Sequence, residues 1–103
     1  MTDRELLELA AKAAGYTLRD HYAGFPPIAE ELNAAWNPLA DDGDALRLAV
    51  KLKLSVWFEE RERHKWTHII WVSPVFEPYT GDVNAATRRA IVRAAAAIGK
   101  DMK

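Results

Sequence analysis

Apolar residues recur at the spacing of a helix in three segments of this sequence. The first stripe begins at Leu6 and Leu9, which are three residues apart and so fall on one helix face. Thr2 and Glu5 precede it with the spacing of a capping box, in which each side chain accepts a hydrogen bond from the other residue's backbone N–H. The pattern therefore predicts a first helix over about residues 3–14.

Two later segments repeat this spacing, and each follows an aspartate. Asp41 and Asp82 are suited to accept hydrogen bonds from the unpaired N–H groups at a helix start. We predict helices over about residues 42–51 and 83–99. The apolar positions that define them are Ala45, Leu46, Ala49, Val50, Ala86, Ala90, Ile91, Ala94, Ala95 and Ile98.

Between these two helices the apolar spacing changes to alternation. Apolar residues stand at every second position at the start of residues 52–60, and residues 66–72 are rich in β-branched and aromatic side chains. The charged residues between them indicate a turn, so the two segments are predicted to form a β-hairpin. The turn contains no Gly or Asn, and two adjacent registers remain open. In either register Trp57 faces away from the alternating row, which leaves the sheet apolar on both faces.

The remaining segments show weaker patterns. Residues 16–22 alternate as in a short strand, until Pro26 and Pro27 interrupt the pattern. Residues 28–36 are ambiguous, although Ile28, Leu32 and Ala35 have the spacing of a short helix. Residues 73–78 contain two prolines, and we predict that they are irregular.

These elements indicate an α+β fold in a single domain of residues 1–103. A sheet that is apolar on both faces is usually covered on both, so we expect a layered α/β/α arrangement. Hydrophobic residues make up 50% of the chain and charged residues 28%, a composition that suits one globular core. The chain has no cysteine, no secretory signal pattern and no apolar run near the ~20 residues of a membrane span, so we expect a cytoplasmic protein.

The net charge of −1 argues against two classes of function. Binding to nucleic acid through phosphate neutralisation usually needs a basic excess, and mimicry of DNA needs an acidic excess.

The sequence contains no clear metal-binding pattern. His64 and His68 are four residues apart on or near a strand, too far apart for a metal pair. The aspartates near Asp41 lack the closing glutamate of a calcium loop. We therefore expect no catalytic site, no cofactor and no metal.

Tryptophan is the residue type that marks candidate binding positions. Four tryptophans in 103 residues suit core packing, but Trp and Arg are also over-represented among residues that dominate protein interfaces. The predicted partner-binding residues are Trp36, Trp57, Arg61, Arg63 and Trp66. A second candidate surface, for nucleic acid, is the arginine row of the last predicted helix, which consists of Arg88, Arg89 and Arg93.

Three blocks of the sequence resemble a known family. Residues 3–15 read DRELLELAAKAAG, residues 36–52 read WNPLADDGDALRLAVKL, and residues 85–96 read AATRRAIVRAAA. In these blocks the chain is similar to the phage ABA-sandwich domain family of small phage and prophage proteins, and the similarity spans most of the chain outside residues 16–35. The family name implies helices on both sides of a sheet, and the family has no catalytic motif to transfer.

This resemblance implies a phage accessory protein that acts inside a bacterium. Small phage proteins without an activity of their own often bind and block host machinery. The leading hypothesis is therefore a non-enzymatic protein that binds and inhibits or redirects a host protein complex, as host-defence inhibitors of the anti-CRISPR kind do. The alternative is a nucleic-acid-binding phage regulator that uses the arginine-bearing helix. Neither hypothesis involves a membrane.

Overall fold

The structure is a computed structural model that describes residues 1–61, 64–70, 75–79 and 81–102. Within these ranges the chain forms three helices and two small antiparallel sheets, which confirms the α+β class. In chain order the elements are α1 (Asp3–Ala14), β1 (Leu18–Arg19), β2 (Ile28–Ala29), β3 (Ala34–Ala35), α2 (Asp42–Leu52), β4 (Ser55–Arg61), β5 (His64–Ile70), β6 (Val75–Pro78) and α3 (Val83–Asp101). The sheets have the strand orders β1-β2-β3 and β4-β5-β6.

The three helices begin where their capping residues predict. Thr2 Oγ1 accepts a hydrogen bond from the backbone N–H of Glu5 at 3.1 Å, and the Glu5 carboxylate accepts one from the backbone N–H of Thr2, which completes the capping box. Asp41 and Asp82 cap α2 and α3, and each side chain accepts from the backbone N–H three residues later. Satisfying these donors stabilises each helix start by about 1 kcal/mol.

The predicted hairpin is formed by β4 and β5. It begins three residues later than predicted because α2 continues to Leu52 and Lys53 then reverses the chain in a left-handed conformation, with a φ of 55°. Of the two registers left open, the structure adopts the one that places Trp57 and Trp66 on the same face. The last two residues of the predicted hairpin, 71–72, lie outside the described residues.

One predicted assignment is wrong: residues 75–78, predicted to be irregular, form β6 and pair with β5, since a proline is tolerated at the end of an edge strand. Residues 28–36, which the sequence left ambiguous although their spacing suits a short helix, contain β2 and β3. These strands are joined by a turn in which Asn33 has a φ of 50°, and Ile28 pairs with Ala35. The strand predicted in residues 16–22 is present as the two-residue β1.

Helix α3 is the centre of the packing. It contacts α1, α2, β5 and β6, and the apolar core around it is rich in alanine. It lies against α1 at Gly99, where an added Cβ would collide with the backbone carbonyl of Leu9. Small residues along both helices therefore allow the two backbones to lie in direct contact.

The layers differ from the predicted α/β/α order. Helix α3 lies on the face of the β4–β5–β6 sheet that carries Thr67, whose hydroxyl is 3.2 Å from that of Thr87. In the described ranges the main helix contacts to this sheet come from α3, and α1 packs on α3. The helices therefore cover one face of this sheet instead of two. No helix in the described part of the chain has the length and apolarity needed to cross a membrane.

Candidate functional site

The face of the β4–β5–β6 sheet opposite α3 is the first candidate site, and we call it the open face. Side chains alternate along β4, so those of Trp57, Glu59 and Arg61 lie opposite the α3-facing side. The β5 residue paired with Glu59 is Trp66, and the β6 residue paired with Trp66 is Pro78. These five residues define the open face.

Two tryptophans form the apolar part of the open face. Because Trp66 pairs with Glu59, Trp66 and Trp57 are diagonal neighbours, at a spacing of about 7–8 Å that large aromatic side chains can bridge. Trp57 is 42% exposed and Trp66 is half-buried. Beside them the Arg61 guanidinium donates to the Glu59 carboxylate at 2.8 Å. The open face therefore combines two neighbouring tryptophans with a charged border.

The predicted partner-binding residues divide into three groups. Trp57, Arg61 and Trp66 lie together on the open face, as described above. Arg63 lies outside the described residues. Trp36 is 1% exposed and packs edge-on against Tyr16, with 5.6 Å between the ring centroids. Trp36 is therefore a core residue, and a partner cannot reach it in this fold.

The three arginines of the alternative hypothesis lie on α3, and each faces a carboxylate of another part of the chain. Arg88 donates to Asp42 at 2.6 Å and to the backbone carbonyl of Leu39 at 2.9 Å. Arg89 donates to Asp3 at 3.2 Å, and Arg93 donates to Glu77 at 2.5 Å. These ion pairs connect α3 to α2, α1 and β6; the Arg88 side chain is only 17% exposed, whereas those of Arg89 and Arg93 are 42% and 41% exposed.

A groove between α2, β4 and α3 is the second candidate site, and we call it the α2–β4 groove. Its volume is about 250 Å³. Leu46 and Phe58 stand at its sides with 64% and 52% of their surfaces exposed. The groove is lined mainly by apolar side chains, namely Ala45, Leu46, Ala49, Val56, Phe58, Val83 and Ile91, with Asp42, Asn84, Thr87 and Arg88 as its polar members.

The groove was not predicted from the sequence, which placed Leu46 and Val50 on the apolar face of the second helix and Phe58 on one of the two apolar faces of the hairpin. The structure shows that all three are exposed. A signal was present in the sequence: Ala45, Leu48, Ala49 and Leu52 already complete one helical stripe. Leu46 and Val50 fall outside that stripe and form a second apolar edge on α2. The spacing alone did not reveal which of the two faces is covered.

The described residues contain no group of three or more His, Asp and Glu side chains placed to hold a metal ion. One titratable pair lies beside the sheet, where the hydroxyl of Tyr79 donates to the Glu60 carboxylate at 3.1 Å. Burial and this carboxylate raise the pKa of Tyr79, so the phenol stays protonated and acts as a donor. The pair therefore links the residue after β6 to β4.

No protein-family model, curated protein or solved structure matches this chain. The open face and the α2–β4 groove are therefore interpreted from their own geometry. Both are apolar surfaces at the β4 side of the molecule, and β4 contributes residues to each.

Proposed function

We propose that this chain is a non-enzymatic binding protein that docks onto a protein partner through the open face. The observation that carries the proposal is the pair of tryptophans, Trp57 and Trp66, on a sheet face that the helices described above do not cover. Tryptophan and arginine are the residues that most often dominate the binding energy of protein interfaces. On the open face they stand together, because Arg61 lies on the same side of β4 as Trp57.

The energetic scale supports an interface role for Trp57. Its exposed fraction of 42% corresponds to about 100 Å² of surface on a large aromatic side chain. Covering that surface with a partner stabilises a complex by roughly 2–3 kcal/mol at about 25 cal/mol per Å². The side chain stands on a strand paired within a sheet, so the backbone that carries it is already ordered before a partner binds.

The kind of partner follows from the family resemblance. A phage accessory protein acts in the cytoplasm of a bacterial host, and its partner would be a host protein complex that it inhibits or redirects. A host-defence inhibitor of the anti-CRISPR kind is one form of this function. Binding by surface complementarity, with no catalysis, is consistent with an apolar patch bordered by the Arg61–Glu59 ion pair.

The alternative of a nucleic-acid-binding regulator has less support. It needs guanidinium groups available to phosphates, whereas those of Arg88, Arg89 and Arg93 are directed to carboxylates within the chain. Each such pair has no net charge. Binding a phosphate would require breaking contacts that connect α3 to its neighbours.

The test is capture of partners from a bacterial lysate by tagged protein, with nuclease treatment, a salt series and identification by mass spectrometry. We expect the wild type to retain one stoichiometric protein complex after nuclease and high salt. Trp57→Ala should weaken its capture about tenfold or more. Phe25→Ala is the matched control, because Phe25 is an exposed aromatic residue in a loop outside the open face.

Two results would contradict the proposal. Capture that depends on nucleic acid and disappears as salt rises would support the arginine-helix alternative. Equal capture by the wild type and Trp57→Ala, with Phe25→Ala reduced, would move the interface to the loop of residues 20–27.

A further inference from the structure

Strand β4 is one edge of the β4–β5–β6 sheet, and in the described part of the chain it is the longer of the two edges. Its seven residues, Ser55–Arg61, pair with β5 in one continuous register. The other edge, β6, pairs over four residues and ends in Pro78. Residues 55–58 of β4 carry no charge. A regular, uncharged edge presents backbone N–H and C=O groups with which a further strand can pair.

The helices on one side of this sheet cover more width than its three strands. Helix α3 contacts β5 and β6, and α2 packs beside α3. Packed helices lie about 8–10 Å apart and paired strands about 4.8 Å apart, so each helix covers about two strands. Helix α2 therefore extends past β4, beneath the position that a fourth strand would take. Leu46 on α2 and Phe58 on β4 border this position, and they are 64% and 52% exposed.

The α2–β4 groove lies between this strand edge and α2. Val56 and Phe58 line it from β4, and Leu46 lines it from α2. Because side chains alternate along a strand, a strand added beside β4 would direct every second side chain to the same side of the sheet as Val56 and Phe58. The groove volume of about 250 Å³ is below the ~300–1,000 Å³ of pockets for drug-sized ligands. The groove therefore suits the side chains of an extended peptide.

Charge beside the groove specifies a further residue of such a peptide. Glu60 is the next residue on the groove side of β4, and its carboxylate accepts from the uncharged hydroxyl of Tyr79 at 3.1 Å. Lys65 pairs with Glu60 in the strand ladder, but the described residues include no ion pair between them. Asp42, in the groove wall, is already neutralised by Arg88 at 2.6 Å. A basic side chain opposite Glu60 would therefore complement the remaining charge.

We propose that the β4 edge and the α2–β4 groove bind an extended segment of a protein partner, which adds to the sheet as a fourth strand. The segment carries Lys or Arg opposite Glu60 and apolar residues opposite Phe58 and Val56. Antiparallel pairing is the more stable arrangement and continues the pattern of this sheet, so the segment reads basic–x–apolar–x–apolar from its amino end. In this mode of recognition backbone hydrogen bonds supply affinity, and alternate side chains supply specificity.

A second copy of this chain does not supply that segment. None of the strands in the described residues reads basic–x–apolar–x–apolar, and in β4 the basic residue, Arg61, comes last. A short peptide also needs less apolar surface than the association of two folded copies does. The inference is separate from the proposed function, because the groove lies on the opposite side of β4 from the open face.

Titration of a synthetic peptide tests the proposal. The probe is a terminally blocked, fluorescent peptide as long as β4, with Lys, Leu and Val at alternate positions from the second onward and Thr elsewhere. We expect saturable binding, read by anisotropy, at protein concentrations up to about 1 mM. The control peptide moves Leu and Val by one position, so that they face away from the groove when Lys is opposite Glu60, and it should bind at least about tenfold more weakly. Absence of binding, or equal binding of the two peptides, would overturn the proposal.

Protein variants test the two sides of the groove. Leu46→Gln should weaken binding about tenfold, because it removes apolar contact from α2. Leu32→Gln is the matched control, since Leu32 is exposed but lies outside α2 and β4, and it should bind as the wild type does. Glu60→Gln should weaken the lysine peptide about threefold at low salt and should not affect a peptide with Gln in place of Lys. A Leu46→Gln variant with wild-type affinity would contradict binding in the groove.

Methylation of the peptide backbone tests strand addition while the protein stays unchanged. Successive N–H groups of a strand point to opposite edges, so of two neighbouring residues one donates toward β4 and the other toward solvent. We expect an N-methyl group at one of two central neighbouring positions to abolish binding and at the other to leave it within about twofold. Equal effects at both positions would overturn strand addition. Self-association of the wild type that excludes the peptide would overturn the proposal and assign the edge to a second copy. The titration contains no host protein, so its failure would leave the proposed function of the open face untouched.

Discussion

The α1–α3 contact and the α2–β4 groove are both built on apolar helix surfaces, and they differ in the size of their residues. Along α1 and α3 the side chains are small, and at Gly99 the backbones touch. Beside the groove the side chains are large, and Leu46 and Phe58 remain exposed. Close approach of two backbones buries small residues completely, whereas large residues at the edge of a layer need a further surface to cover them.

The substitution with the largest expected effect on stability is Gly99→Ala, which disrupts the close contact between α1 and α3. The new Cβ would overlap the carbonyl of Leu9, a backbone atom that cannot rotate away, so the helices must separate. We expect a loss of about 3 kcal/mol or more in the free energy of unfolding, despite a gain of about 1 kcal/mol in helix propensity. Urea denaturation would measure it.

Gly43→Ala is the control for this substitution. Gly43 is also helical, but a Cβ there would meet chiefly the guanidinium of the exposed Arg47, which can move, and would touch the Asp41 carboxylate that caps α2 at 3.2 Å. We expect a change within about 1 kcal/mol. Equal effects of the two substitutions would show that helix propensity, and not the contact with Leu9, decides the result.

A smaller effect, dependent on pH, is expected from Glu5→Ala at the start of α1. The hydrogen bonds from Thr2 to the Glu5 carboxylate lower the pKa of Glu5 in the folded state. A lowered folded-state pKa means that the contribution to stability is present above the ordinary pKa of about 4.3 and is lost as pH falls through the lower folded value.

Unfolding curves at several pH values would test this expectation. Glu5→Ala should be less stable than the wild type at pH 7, and the difference should shrink as the pH falls below about 4. The matched variant is Glu8→Ala, which removes another α1 carboxylate that lies outside the capping box. A difference that is constant from pH 7 to pH 3 would contradict a role for the Glu5 charge.

The smallest effect on stability is expected from a substitution in the α2–β4 groove. Leu46→Gln replaces an apolar side chain that is already mostly exposed, so the free energy of unfolding of the monomer should change by less than about 0.5 kcal/mol. Leu48→Gln, two residues away but buried, should lose several kcal/mol because it places an amide in the core. Thermal unfolding at low protein concentration compares the two, and similar losses would mean that Leu46 is covered in the folded monomer.

The elements of the fold that could be predicted from the sequence are those with local signals. The helices and the hairpin could be predicted because their signals are local: caps at Thr2, Asp41 and Asp82, and a change of period after α2. Strand β6 was not predicted because Pro74 and Pro78 in the sequence indicate a loop, and only the pairing with β5 shows that Pro78 lies at the end of an edge strand.

The candidate site could be predicted only in part, because residue type is a local signal and burial is not. Trp57 and Trp66 were identified by residue type, and the register that unites them came from the structure. Trp36 had the same residue type but lies in the core, because its surroundings depend on Tyr16, twenty positions earlier. Burial of this kind depends on contacts between distant segments, which residue type and spacing do not reveal.

The contact between α1 and α3 also has a consequence for synthesis of the protein. The two helices that touch at Leu9 and Gly99 are separated by most of the chain, and the Lys12 ammonium donates to the carbonyl of Met102. A helix that emerges early from the ribosome therefore cannot bury its apolar face until nearly all of the described chain has been translated. Contacts between such distant segments slow folding, because a long loop must close before they form.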